Sequence, residues 1–320
     1  MNANRNTKSK MMGIAVIALL VLAVAGLATR KVESSYWGPS SKAVAPATFP
    51  SPTEASVALA NAAKAGDQSA LSKILGPDTL SLLMSDDTES NKAAMDSFTS
   101  KFQQMNRWVE MTDGTRVLYI GADNFAFPVP LAKNSSGQWY FDAVAGAEEV
   151  RAREIGRNEL LAIDACYALA DAEKMFYDSG ASPEYAQRII STPGQQDGLY
   201  WPATGAQTSS PLGDLTQFPK SSLASYAPGA SLVIDGYTLR ILTAQGADAE
   251  GGAQNYIVDG KMTRGLAILA VPVKYGETGI MTFMISREGI VYEQDLGPDT
   301  LKSAAYIQQY NPDENWSPVE

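Results

Sequence analysis

The chain has 320 residues, 45% hydrophobic and 19% charged, enough for two globular domains with cores of their own. Net charge is −10, and because the first thirty residues hold four bases (Arg5, Lys8, Lys10, Arg30) and no acid, the remainder carries −14. Such a body repels a phosphate backbone, so nucleic acid is excluded as a partner. No histidine is present, which removes any Ser-His-Asp or Cys-His nucleophile and any imidazole metal ligand. The single cysteine, Cys166, can form neither an internal disulfide nor a thiolate site, so neither a metal nor another cofactor is expected.

In chain order, the first signal is "MMGIAVIALLVLAVAGLA" at residues 11–28, uncharged and preceded by bases. Residues 1–30 therefore read as a signal peptide or a membrane anchor. Gly26 and Ala28 suit cleavage, whereas Arg30 and Lys31 follow at once, so both outcomes stay open. The body is expected to be exported, periplasmic or extracellular, touching a membrane only through residues 11–28 if these are retained. Residues 31–48, rich in Pro, Ser and Ala, read as a linker.

"SPTE" at 51–54 then opens a helix, with Ser51 as N-cap, Pro52 at N1 and Glu54 completing a capping box. Gly66 stops it. Asp67 caps a second helix, with Leu71, Ile74 and Leu75 inward and Gly76 as its stop. "LGPDTL" at 75–80 recurs letter for letter at 296–301. In the first copy Pro77 blocks continuation and Asp78 is placed to cap a helix through Leu80–Met84. The second copy follows a strand, "GIVYEQD", and leads into a helix, "KSAAYIQQY", with Ala304, Ile307 and Tyr310 on one face. Their flanks share nothing, so the repeat is shared turn chemistry, not a repeated domain.

A third helix is expected over 91–106, with Ala94, Phe98, Phe102 and Met105 on one side. Strands follow: "TRVLYIG", an Asp123-Asn124 turn, "FAFPVPL" with two prolines that favour an edge, an "NSSG" turn and "QWYFD". Residues 49–147 thus form an α+β unit. Its element order and the helix pair "AAKAGDQSALSKIL" resemble the cone-shaped nuclear-transport-factor-two-like fold, which implies a pocket between helices and a curved sheet. Phe125, Trp139 and Phe141 would line that pocket, unless they are plain core.

The second unit, 148–320, begins with the long helical pattern "EEVRAREIGRNELLAIDACYALADAEKMFYD". One apolar stripe holds Leu161, Ala165, Ala168, Ala172 and Phe176, a second Leu160, Ile163, Tyr167 and Ala170, with Asp164, Asp171 and Asp178 between them. A helix apolar on two sides is expected to pack against two bodies. After a loop region over 179–230 come "YTLRILT", "NYIVDGKM", "LAILAVP", "GIMTFMIS" and "GIVYEQD", five strands with turns at Asp259-Gly260 and Glu288-Gly289, and a closing helix from Asp299.

One helix, a glycine-rich loop and a meander resemble the globular heads of type IV pilins and pseudopilins. The echoes are "NELLAIDACYALADAEKMFY", Ala270-Val271-Pro272, Thr278-Gly279 and the stretch from Phe283 to Tyr292. Pilins carry this helix continuous with the N-terminal apolar segment. Here residues 29–147 lie between, which argues against pilus assembly by that route. The body from Phe49 to Val319 also resembles a bacterial family, Domain of Unknown Function 2950. The resemblance runs through "FPSPTEA", "IGRNELLAI", "EYAQRIISTPGQQDGLYWP", "SPLGDL", "RILTAQG", "YGETGIMTFMI" and "VYEQDLGPDT". It implies an exported bacterial envelope protein and assigns no activity and no catalytic residue.

Among candidate site residues, Asp197, Tyr200 and Trp201 in "STPGQQDGLYWPATG" combine rings with a carboxylate, as a sugar- or peptide-stacking site does. The plainer reading is an Asx turn at Asp197 with the rings anchoring the loop. For catalysis only carboxylates are left as acid and base: Glu159, Asp197, Glu277 and Glu293. Arg157, beside Glu159, is placed to pair with a buried acid at a domain junction, where an ion pair is more often structural than catalytic. These features point to a binding or scaffolding module of the cell envelope, with an envelope protein or glycan as partner. The alternatives are a carboxylate-dependent hydrolase or lyase on an envelope glycan and a small-molecule carrier using the first-unit pocket.

Overall fold

The computed structural model describes residues 46–179, 183–202, 209–213, 222–223 and 231–319. The apolar segment 11–28 and most of the linker lie outside the described residues. Among the described residues no helix is long and apolar enough to cross a membrane. The chain divides into two compact units, Met1–Ala147 and Glu148–Glu320. Both combine helices with antiparallel sheet, an α+β architecture.

In the first unit α1 (Pro52–Ala65) starts where Ser51 Oγ accepts the Glu54 N–H at 3.2 Å, with Pro52 in the first turn. It ends at Gly66, whose φ of 63° is the left-handed cap that glycine takes without strain. Asp67 caps α2 (Gln68–Leu75) through the Ala70 N–H at 3.0 Å. α3 (Pro77–Leu83) departs from expectation, because its N-cap is Gly76 and Asp78 lies inside the first turn without capping. The Gly76 backbone has φ of 82°, and a Cβ there would stand 2.8 Å from Ala143 Cβ, so both conformation and space demand glycine. α4 (Thr88–Gln104) begins earlier than its apolar face suggests, since Asp87 accepts the Glu89 and Ser90 N–H groups.

The sheet of this unit runs β1 (Asn106–Glu110), β2 (Arg116–Ile120), β4 (Leu131–Lys133), β5 (Trp139–Phe141), with β3 (Phe125–Ala126) paired to β2. β1 is a strand that the periodicity missed. It follows α4 after Met105 alone, and its hairpin turn is closed by Gly114 at φ of 83°. Pro128 and Pro130 fall between β3 and β4, where no ladder N–H is needed. Leu59, Leu71, Leu118, Ile120, Leu131 and Phe141 form the core, all nearly inaccessible.

α5 (Ala143–Ser179) starts where Asp142 Oδ1 accepts the Val144 and Ala145 N–H groups, and the boundary between the units falls inside it. In the second unit it buries Ala162, Ala165, Cys166, Leu169 and Ala172. Of the second stripe, Leu160 and Tyr167 are 48% and 43% exposed, whereas Ile163 and Ala170 pack against the same core, so the helix buries one broad face and not the two expected. Asp164, Asp171 and Asp178 are exposed as expected.

The remaining elements, in chain order, are β6 (Ser222–Leu223), β7 (Leu232–Ile234), β8 (Tyr237–Leu242), β9 (Ala244–Gln245), β10 (Gln254–Asn255), β11 (Ile257–Val258), β12 (Lys261–Met262), β13 (Ala267–Pro272), β14 (Met281–Ser286), β15 (Val291–Asp295), α6 (Thr300–Ala305) and β16 (Ser317–Pro318). A seven-stranded antiparallel sheet has the order β16-β15-β14-β13-β8-β7-β6. "NYIVDGKM" is not one of its strands. It folds on itself as the β11–β12 hairpin about Asp259 and Gly260, whose φ values of 50° and 79° suit a two-residue turn. Every residue of β13 is buried, as a central strand covered on both faces must be. One face carries Tyr237, Leu239 and Ile241 of β8 toward the α5 stripe, and the other carries Arg240 toward α6. The closing helix is shorter than expected. Ile307 and Tyr310 lie beyond it, and Tyr310 instead bridges to Gln245.

Candidate functional site

A cleft of about 270 Å³ opens where the segment after α6 crosses the outer strands of the large sheet. Met284, Gln294, Leu296, Ser303, Ile307, Gln308, Gln309 and Asn311 line it, together with Tyr306, Asp313 and Trp316. Arg240 holds this segment by donating to the carbonyls of Ala304 (3.1 Å) and Ile307. Burial lowers the pKa of that guanidinium from its ordinary value. Asn311 is fixed on both sides, accepting the Asp248 N–H at 2.9 Å and donating to Asp248 Oδ2 at 2.7 Å. Gly246 is required for this approach, since a Cβ there would stand 2.2 Å from Asn311 Oδ1. Trp316 is nearly buried and Tyr306 is 86% exposed. The Gln308 amide donates to the Ala305 carbonyl at 2.6 Å, so the lining offers the amides of Gln294 and Gln309, one acid, Asp313, and an exposed ring. Such a surface suits a neutral ligand rich in hydroxyl or peptide groups better than an ion.

The carboxylates named from the sequence are partly brought together. Glu159 on α5 uses Oε1 to accept the Ile280 and Met281 N–H groups at 2.8 and 3.0 Å, while Asn158 donates to the Thr278 carbonyl at 3.0 Å. Tyr237 donates to the Met281 carbonyl at 2.8 Å. Glu293 on β15 is half-buried, and its carboxyl is raised above the ordinary range first by burial and then by the charge of Glu159. Glu159 and Glu293 thus sense one another electrostatically. Glu277 and Asp197 stand elsewhere, on exposed Lys274 and on Arg188 respectively, each at 3.2 Å. Among the described residues no group of three or more acids or cysteines is placed to hold a metal ion.

Asp197 clasps its own loop, accepting the Thr192 N–H at 2.8 Å and the Thr192 hydroxyl at 2.9 Å. Tyr200 is half-buried against the core, tied by its backbone to Ile189 and Ser191, and Trp201 is half-buried beside it in sequence. In the first unit Phe141 is fully buried and Trp139 is 6% exposed, whereas Phe125 is 42% exposed with Lys101 over its ring at 5.3 Å. Arg157 pairs with Glu154 at 3.6 Å on the exposed side of α5, not with Glu159.

Two features escaped the sequence reading. Three of the four cleft amides, Gln308, Gln309 and Asn311, sit in a stretch, "YIQQYNPDENW", that reads as a helix end and a tail. Glu173 is fully buried, with Oε2 accepting the Ala186 N–H at 2.8 Å and Oε1 without a partner. Burial holds its carboxyl well above the ordinary range. Its position was a usable signal, because Cys166, Leu169 and Glu173 follow the i, i+3, i+7 spacing of the buried stripe.

No curated protein and no solved structure matches the chain. A family model described as "Protein of unknown function (DUF2950)" matches residues 46–319, which take in the first unit from residue 46 onward and all but the last residue of the second. On that match the chain belongs to the DUF2950 family.

Proposed function

We propose that this protein is an exported cell-envelope protein of bacteria that acts as a binding module, with an envelope glycan as the ligand of the amide-lined cleft. The carrying observation is the lining itself, Gln294 and Gln309 around an exposed Tyr306, beside Gln308 and Asn311 whose amides are held by Ala305 and Asp248. Hydroxyl-rich ligands are recognised by planar amides together with an aromatic face. The basic start and apolar stretch of residues 1–28 support export. The helices-then-sheet order of the first unit supports a cone-like fold. The single long helix packed on a meander supports a pilin-head-like second unit.

The test is co-sedimentation of the protein with purified bacterial cell-wall sacculi. Tyr306→Ala should weaken binding about tenfold at unchanged melting temperature, because a highly exposed ring contributes little to folding. Binding that is absent from the start, or indifferent to both Tyr306→Ala and Gln294→Ala, would sink this reading. Intact mass and cell fractionation test export.

A second reading, a carboxylate-dependent hydrolase or lyase acting on such a glycan, is favoured by the coupling of Glu293 to Glu159. Glu293→Gln should then abolish glycan turnover, while sedimentation with sacculi persists. Turnover undetectable in the wild type removes this reading.

A further inference from the structure

We propose that the inner face of the first unit's sheet holds a small carboxylate, gripped between the Trp108 indole and the Arg116 guanidinium. The site is separate from the cleft above and does not depend on it.

Strand register makes the juxtaposition. Trp108 pairs with Leu118 and Glu110 with Arg116 across β1 and β2, so Trp108 and Arg116 share one face as diagonal neighbours. It is the core-facing side, because Leu118 and Ile120, at alternate positions on β2, are fully buried. On it, Trp108 Nε1 and Arg116 Nε are both buried and both lack a hydrogen-bond acceptor. Buried N–H donors in native proteins are almost always paired. Two orphans on neighbouring strands call for one acceptor group with two oxygens.

The surrounding charge says which acceptor. Arg116 donates through Nη2 to Glu110 Oε2 at 3.0 Å, but that carboxylate is 65% exposed and leaves the Nε side of the fork free. The Arg116 guanidinium lies 4.9 Å from the centre of the Trp139 ring, and Lys133 Nζ lies 4.7 Å from it. Two cations therefore flank the Trp139 ring on the sheet face that carries the Trp108 indole, in a chain of net charge −10. Trp108 also lies 6.4 Å from the Phe141 ring, which gives the ligand an aromatic wall. A planar monoanion would satisfy both donors, one oxygen on Trp108 Nε1 and the other on Arg116 Nε, with its apolar body against the rings and the buried side chains parting to admit it. The Arg116 side chain is 33% exposed, so the guanidinium reaches the solvent from which a ligand would come.

Benzoate titrated into the full-length protein tests this, read by the proton–nitrogen resonances of the tryptophan indoles. The chain has five tryptophans, and Trp108→Phe identifies the peak of interest while keeping a ring in place. Benzoate should move that peak, and with it the peak of the neighbouring Trp139, saturably, and leave the other three still. Arg116→Gln should weaken the titration at least tenfold, as loss of a charge-assisted hydrogen bond requires, with the remaining indole peaks reporting an intact fold. Three outcomes would overturn the proposal: an immobile Trp108 peak at millimolar benzoate, an affinity unchanged by Arg116→Gln, or a peak that answers to inorganic phosphate and not to benzoate.

Discussion

Replacing Glu173 by glutamine isolates what it costs to bury this acid. The side chain is inaccessible, one oxygen takes the Ala186 N–H at 2.8 Å, and the other has no partner. Burial raises the folded carboxyl well above its ordinary 4.5, against the smaller pull of that N–H. The folded chain therefore keeps a proton that the unfolded chain releases once pH passes about 4.5. The stability linked to this group is complete below that pH and is lost as pH rises toward the folded value. The loss runs at up to about 1.4 kcal/mol per pH unit. Glu173→Gln retains an oxygen for Ala186 and abolishes the titration, and a buried amide N–H left unpaired there costs about 1–3 kcal/mol. The variant should start at or below the wild type near pH 4.5 and gain on it steadily above. Urea unfolding of both proteins, at unit steps from about pH 4.5 to about pH 7.5, measures the difference. Tyr177, Asp178, Tyr185 and Arg287 act electrostatically in this neighbourhood, but they are common to both proteins and cancel in the difference to first order. Two stability curves that stay parallel over the whole range would refute the reasoning.

Gly279→Ala places a Cβ 2.0 Å from Tyr237 Oη and disrupts the bond to Met281, so thermal unfolding should report a loss of about 1–3 kcal/mol. Gly156→Ala, inside α5 with nothing near its added Cβ, should instead stabilise by about 0.5–1 kcal/mol in the same assay. Asp197→Ala removes both Thr192 contacts and the Arg188 pair, so limited proteolysis should cut the 192–197 turn faster; an unchanged rate would mean the clasp holds nothing. Cys166 is buried and its thiol is pushed up to about 12, so thiol reagents should label it only on unfolding, and rapid labelling of the native protein would contradict the placement of α5.

Local chemistry was legible wherever neighbours in sequence complete the interaction. Ser51, Pro52, Gly66 and Asp67 act over one helical turn, and their caps form as read. The Asp259-Gly260 hairpin follows equally from two positive φ angles. The buried stripe through Ala165 and Ala172 was visible as periodicity, and Cys166 is the small buried hydrophobe its surroundings suggested. Where legibility failed, a distant partner decided. Asp78 stands ready to cap, yet the helix already starts at Pro77 with Gly76 as its N-cap, a position that Ala143 closes to any side chain. "NYIVDGKM" has strand composition, but β13 takes the place beside β8. Glu173, Glu293 and the two orphaned donors Trp108 Nε1 and Arg116 Nε are ordinary letters until packing removes their water. The sequence by itself determined the family, the alternation of helices and strands, their caps and the absence of imidazole chemistry, because these depend on residue type and short-range geometry. Only the tertiary structure decided which polar groups are buried and which of them meet, because desolvation and cross-strand register come from residues up to some 120 positions away, as between Glu159 and the Ile280 N–H.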